Sequence, residues 1–218
     1  MSYTGHVEPG GAVGVRELAA LSISKLSVGP MDNNAYLLRC HATGDQLLID
    51  AANEPQRLLE LVGEPGLATV VTTHRHPDHW VGLSEVVKAT GARSLAHRDD
   101  AKEIPGAAGS LDDGDTVRVG QCSLEVIHLR GHTPGSIALL YRDDSAGGRP
   151  QLFTGDSLFP GGPGRVTHPD DFTSLMDDLE RKVFGQLDDQ TWVYPGHGDD
   201  TTLGAERPKL GEWRARGW

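Results

Sequence analysis

Cysteine is nearly absent from this chain: Cys40 and Cys122 are the only two in 218 residues, far apart and in strand-like settings. They argue against a disulfide framework and for a reducing cytoplasm, and neither has metal-ligand spacing. Hydrophobic residues make up 37% and aromatics 6% of the sequence, and no apolar run approaches the ~18 to 20 residues that cross a bilayer. Basic residues are also few, 20 Lys and Arg against 31 Asp and Glu, which leaves a formal charge of −11. Nothing forms the basic stripe that a nucleic-acid surface requires, so neither nucleic acid nor membrane is expected as a partner. A small anionic substrate is still compatible, because local charge at a metal site can oppose the global sign. The opening Met1-Ser-Tyr-Thr-Gly-His-Val-Glu-Pro-Gly-Gly11 lacks the basic start and apolar core of a signal peptide. Residues 1–15 read as a flexible tail and 16–218 as one domain, since no linker, composition break or repeat divides the rest.

Glycine (28) and proline (13) are plentiful, as expected where function lies on loops. Strand patterns fall at 22–28, a half-buried alternation, then at 33–40, 46–50 and 67–73. Helical spacing appears at 54–62, with Asn53 as N-cap and Gly63 as stop, and at 81–89. Further on come a short strand at 94–96, a short helix at 98–104, and strands at 116–119, 123–129, 137–141, 151–154 and 191–194. The clearest helix is 172–184, where Leu175, Met176, Leu179, Val183 and Phe184 form one stripe that reads as core. The order is that of a layered α/β protein with antiparallel hairpins in its second half.

The stretch Thr73-His-Arg-His-Pro-Asp-His79 follows an apolar, β-branched run. Three imidazoles and a carboxylate thus sit where a strand opens into a loop, the usual place for a site in an α/β sheet. Those ligand types suit zinc, iron and manganese. Downstream, His132, Asp156 and His197 each lie in a turn after a strand-like run, and each is preceded by glycine. Glycine there permits close backbone packing or positive φ beside a crowded site.

Together H-x-H-x-D-H, G-H-T-x-G-S, G-D-S-L-F and P-G-H-G resemble the metallo-β-lactamase superfamily of hydrolases, over residues 33–205. The resemblance implies a four-layer αβ/βα sandwich, two mixed sheets flanked by helices, with the site along one edge. By motif position it assigns one ion to His74, His76 and His132, a second to Asp78, His79 and His197, and Asp156 to both. Asp156 stands where the best-known β-lactamases carry cysteine. The segment from Gly155 to Arg165 is similar to that of glyoxalase II, whose basic residue at the position of Arg165 meets the substrate's carboxylates. Two features depart from that subfamily. Asp199 replaces the usual Tyr two residues after the last His, and the chain ends 21 residues after His197 (218 − 197), too soon for the helical domain that completes a glutathione site. The ending is similar instead to short, single-domain bacterial glyoxalase-II-like proteins.

The resemblance implies two divalent ions, zinc foremost with iron or manganese as alternates, and hydrolysis of a small anionic acyl-thioester by metal-bound hydroxide. Two dications and two ligating carboxylates, Asp78 and Asp156, leave a positive charge that can stabilise an oxyanion and the departing thiolate. Asp78 is expected to combine ligation with orientation of the nucleophile. The rival readings are a persulfide dioxygenase, with one iron on two His and one Asp, and a lactonase. A nuclease fits the charge less well, and a non-catalytic metal-binding protein least. Arg75, His128, His168, Trp80 and Phe159 are further polar or aromatic candidates for the walls of the cleft, while His6, His41 and His97 read as surface or core residues.

Overall fold

Residues two apart on a strand share a face, and that period sorts the apolar side chains here into three separate cores. The computed structural model describes residues 3–217. Its first sheet contains β1 (Gly14–Glu17), β2 (Leu21–Val28), β3 (Asn33–Cys40), β4 (Gln46–Ile49), β5 (Thr69–Val71), β6 (Arg93–His97) and β7 (Gly109–Leu111), in that spatial order. Pairing is antiparallel from β1 to β4 and parallel from β4 to β7. The parallel half needs crossovers, supplied by α1 (Pro55–Val62), α2 (Leu83–Thr90) and the short α3 (Arg98–Ala101).

The second sheet is built from β8 (Thr116–Val119), β9 (Cys122–His128), β10 (Ile137–Tyr141), β11 (Gln151–Gly155), β14 (Trp192–Pro195) and β15 (Thr201–Thr202), with β14 between β11 and β15. A small hairpin, β12 (Leu158–Phe159) with β13 (Gly162–Pro163), follows β11. Then come α4 (Pro169–Asp178), which continues through wider turns to Phe184, and the terminal α5 (Leu203–Glu206) and α6 (Leu210–Arg216).

Leu38, Ile49, Val71, Leu124, Leu139 and Phe153 fill the layer between the sheets. Their strand neighbours Leu37, Leu48 and Val70 face α1 and α2, while Leu140, Leu152 and Val193 face Leu175, Met176, Leu179 and Trp213. Helix, sheet, sheet, helix is the four-layer sandwich expected from the sequence. Among the described residues no helix is long and apolar enough to cross a membrane.

Phe153 is fully buried at the centre, stacked on Tyr194 at 4.6 Å and edge-on to Tyr36 at 5.3 Å. Phe153→Ala removes both ring contacts and leaves a cavity that rigid strands cannot close. It should cost about 3–5 kcal/mol in urea unfolding, and a cost below about 1 kcal/mol would show that the core repacks freely.

Some local expectations are revised. Strand β2 alternates as expected through Ser24 but is buried on both faces from Lys25 to Val28, and Lys25, on the inner face, is fully buried. Helix α1 is preceded by Glu54 in the left-handed region (φ 48°), not capped by Asn53, whose Oδ1 accepts the Glu54 N–H instead. Strand β5 is only three residues long, because the chain leaves the sheet early to deliver the histidine cluster. Residues 3–13, part of the 1–15 stretch read as tail, pack on both sheets, with Tyr3 against Trp192 and Tyr194, Val7 buried and the Gly5 carbonyl accepting from Lys25 Nζ; β1 begins at Gly14. Met1, Ser2 and Trp218, included in the tail and domain boundaries, lie outside the described residues.

Candidate metal centre

All seven predicted ligands converge at one edge of the sandwich. His74, His76, Asp78 and His79 come from the loop after β5, where Pro77–His79 forms one 3-10 turn. His132 lies in the turn after β9, Asp156 directly after β11, and His197 after β14. Glycine precedes each of the last three. Gly131 and Gly155 have φ of 134° and 49°. Gly196 is instead a close approach: a Cβ there would lie 2.1 Å from Asp156 Oδ1.

Two triangles of donor atoms result. His74 Nε2, His76 Nδ1 and His132 Nε2 are 3.1, 2.9 and 3.3 Å apart. His79 Nε2, His197 Nε2 and Asp78 Oδ2 are separated by 3.2, 3.4 and 3.5 Å. Asp156 stands between them, with Oδ2 3.5 Å from His132 and 3.4 Å from His197, and Oδ1 3.4 Å from His79. A tetrahedral ion with bonds of about 2.0–2.1 Å holds its donors about 3.3 Å apart. Both triangles are close to that size. Asp156 Oδ1 is buried and has no hydrogen-bond partner, which is costly unless a cation completes it. The residues present fit a pair of divalent ions.

Four of the five candidate imidazoles are aimed through their other nitrogen. His79 Nδ1 pairs with Asp50 Oδ2 (2.8 Å), His132 Nδ1 donates to the Arg165 carbonyl (2.6 Å) and His197 Nδ1 to the Met31 carbonyl (2.8 Å). His74 Nδ1 meets Thr73 Oγ1 at 3.1 Å. Asp50 also accepts from the Thr73 N–H and hydroxyl at 2.7 and 2.8 Å, and Asn33 Nδ2 donates to Asp78 Oδ2 at 2.9 Å. Sequence reasoning missed Asp50 and Asn33. The signal for Asp50 was a lone carboxylate ending the apolar run Leu47-Leu-Ile49, held at φ 58°.

The electrostatics divide the site. Burial, and then the neighbouring His79, push His74 well below the ordinary imidazole range. Burial also lowers His132. Burial opposes charge on His79 and His197 too, but nearby carboxylates outweigh it and push both up to about 10: Asp50 and Asp156 for His79, Asp156 and Asp78 for His197. Burial would raise Asp156, yet His197 and His79 hold it well below the usual carboxylate range.

A raised ring pKa favours the metal-free fold below the ordinary value of 6.5, and that benefit is lost as pH climbs through about 10. Ligation needs neutral rings. Zinc uptake at pH 7 should therefore release protons from the His79 and His197 pair and tighten as pH rises. Calorimetric titration in two buffers of different ionisation enthalpy measures this, and uptake without proton release would contradict it.

The remaining candidates are placed as follows. The exposed Arg165 contributes its carbonyl to His132. Arg75 pairs with Glu103 and lies 3.9 Å from Asp100. His128 stacks on His97 at 3.9 Å and contacts the Pro134 carbonyl, outside the seven. The exposed His168 precedes α4 without a side-chain cap bond. Trp80 Nε1 donates to the Arg75 carbonyl, and the Phe159 ring lies 6.3 Å from that of His197.

Comparison with known proteins bears on the family and the fold. A hydroxyacylglutathione hydrolase of Rhodospirillum rubrum is 35% identical over 190 residues, covering 83% of this chain and 67% of its own. The crystal structure of ETHE1 from Myxococcus xanthus superposes with a TM-score of 0.76 at 30% identity, covering 87% of this chain and 84% of its own. That of TTHA1623 in a di-iron-bound form gives 0.68 at 30% identity, covering 84% and 96%. The chain spans between 51% and 67% of the length of the first curated hydrolases it matches. Residues 28–197 match the Metallo-beta-lactamase superfamily, and the chain belongs to that family.

Proposed function

We propose that this protein is a metal-dependent hydrolase of a small acyl-thioester. The observation that carries the reading is Asp156, a buried carboxylate set between two donor triangles and left with one unpartnered oxygen. The likeness to hydroxyacylglutathione hydrolases supports the substrate class, and the likeness to a di-iron-bound structure supports two ions. His74, His76 and His132 would hold one ion and Asp78, His79 and His197 the other, with Asp156 shared. Zinc suits this donor set best, and iron or manganese also fit.

When bound, such ions lower the pKa of water toward neutrality and stabilise developing negative charge. The chain's own residues then supply position. Asn33 fixes Asp78, a carboxylate that would ligate an ion and could also orient a water. Asp50 holds His79 by Nδ1 and presents Nε2 to the site. Phe159 walls the side near His197, and the exposed Arg165 is available to a substrate carboxylate. A reducing cytoplasm suits both a thiol product and two unbridged cysteines.

The test is metal analysis of the purified protein, then a panel of thioesters of glutathione and other small thiols, a persulfide, lactones and a phosphodiester. Two ions with thioester turnover are expected; two ions with no thioester cleavage would overturn the reading. A second reading, one iron with oxygen-dependent persulfide chemistry, needs two imidazoles and one carboxylate. His74 and His132 supply these with Asp156, at 4.0 and 3.5 Å. Iron-only occupancy and oxygen consumption would favour it.

A further inference from the structure

We infer that the two halves of the metal centre are positioned independently by two buried charged groups, Asp100 for the His74, His76 and His132 half and Lys25 for the His197 half. The inference rests on the metal-centre reading above.

Asp100 lies in α3, outside every ligand loop, and is fully buried. Its Oδ2 accepts the N–H of Arg75, the residue between His74 and His76, at 3.0 Å. The same oxygen accepts the hydroxyl of Thr133, next to His132. Its Oδ1 accepts the Gly135 N–H at 2.9 Å. One carboxylate thus ties the loop from the first sheet to the loop from the second. Gly135 lies flat on it, since a Cβ there would be 2.7 Å from the Asp100 nitrogen. This accounts for the Thr and second Gly of Gly131-His-Thr-Pro-Gly-Ser136, which the ligand set alone leaves unexplained.

Lys25 acts at the other end. Its side chain has no exposed surface, and Nζ donates at 2.7 Å to each of three acceptors: the Gly198 carbonyl, the Gly5 carbonyl and Asp200 Oδ1. Asp200 Oδ2 in turn accepts from Tyr3 Oη (2.6 Å) and Trp192 Nε1 (2.8 Å). Asn34 Nδ2 joins the Gly198 and Pro195 carbonyls at 2.9 Å each, so the backbone on both sides of His197 is pinned. Asp100 makes no hydrogen bond to the His197 loop, and Lys25 makes none to the His132 loop, among the described residues. Buried groups with every bond satisfied hold a loop in one geometry, and separate groups should fail separately.

Asp100→Asn keeps the volume but sets an amide N–H₂ either against the Gly135 N–H or against the Arg75 N–H and the Thr133 hydroxyl. It should weaken one ion by about 10–100-fold and leave the other near wild type. Lys25→Met combined with Asp200→Asn, which leaves no unpaired buried charge, should do the reverse. Binding is measured by cobalt titration, and the site is identified by paramagnetic proton NMR. The ion on three rings shows three exchangeable imidazole N–H signals and the ion on His79 and His197 shows two. The expected result is selective loss of the three-signal set in Asp100→Asn and of the two-signal set in the double variant. Equal weakening of both ions in either variant, or no change in either, overturns the inference. Should Asp100→Asn fail to fold, Thr133→Val removes a single donor and is read in the same way. If the wild type takes up no ion, the metal-centre reading itself has failed.

Discussion

Asp156→Ala should abolish turnover while leaving the fold formed. The side chain belongs to none of the three cores and lies in the turn after β11, so its loss removes no apolar packing. What it removes is the one carboxylate within 4.0 Å of four rings, His74, His79, His132 and His197. Without it neither triangle keeps a fourth protein donor, and four rings lose the negative charge that faces them. The fall in kcat/KM should be on the order of a thousandfold or more, larger than the 10–100-fold typical of residues that merely orient a ligand. His132→Ala, which takes away a corner of one triangle, should be as damaging. Steady-state kinetics beside circular dichroism check both, and near-normal activity in either variant would refute the ligand assignment.

Gly196→Ala is the second large effect, and it changes no chemical group in the site. The new methyl would sit 2.1 Å from Asp156 Oδ1 and 2.7 Å from His79 Cε1. The backbone cannot retreat, because the Gly196 N–H donates to the Gly155 carbonyl and its own carbonyl accepts the Asn34 N–H, both at 2.8 Å. The strain must therefore fall on Asp156 and His79. We expect loss of at least one ion and a fall in turnover on the order of a hundredfold, read by metal analysis and kinetics. Gly211→Ala in α6 is the control. Its methyl meets nothing within 4 Å, and alanine is the better helix former, so activity should not change and stability should hold or rise slightly. Equal behaviour of the two variants would show that close packing at Gly196 is unimportant.

The candidate ligands were legible because metal chemistry restricts both residue type and place. Imidazoles and carboxylates in turns directly after strands are few in a chain with ten histidines. The layered fold was legible because adjacent residues such as Leu37 and Leu38 are both apolar, the mark of strands covered on two faces. The supporting shell was not. Asp50, Asn33 and Asp100 are common residue types with no fixed spacing from the ligands, and their roles depend on which loops the fold brings together. Backbone carbonyls of Met31 and Arg165 have no side-chain signal at all. The short β7 and the terminal α5 and α6 escaped for another reason: α6 buries only Trp213, too little to show a period. Lys25 carries no sequence signal of burial, since its acceptors, the Gly5 and Gly198 carbonyls and Asp200, come from distant segments.

Each donor triangle draws ligands from both sheets. His76 and His132 are 56 positions apart in the chain, and His79 and His197 are 118 apart. The ions would thus serve as cross-links that close two long loops across the sandwich, a non-covalent counterpart of the disulfides this chain does not have. Neither sheet alone offers a complete set, so an ion should be captured only after the halves have docked. During refolding in cobalt, ligand-field absorbance should then follow the packing of Trp192 of β14 against Arg16 of β1 and never precede it, and chelation should lower the melting temperature by mass action. The centre would report, by its colour, that the two halves of the molecule have met.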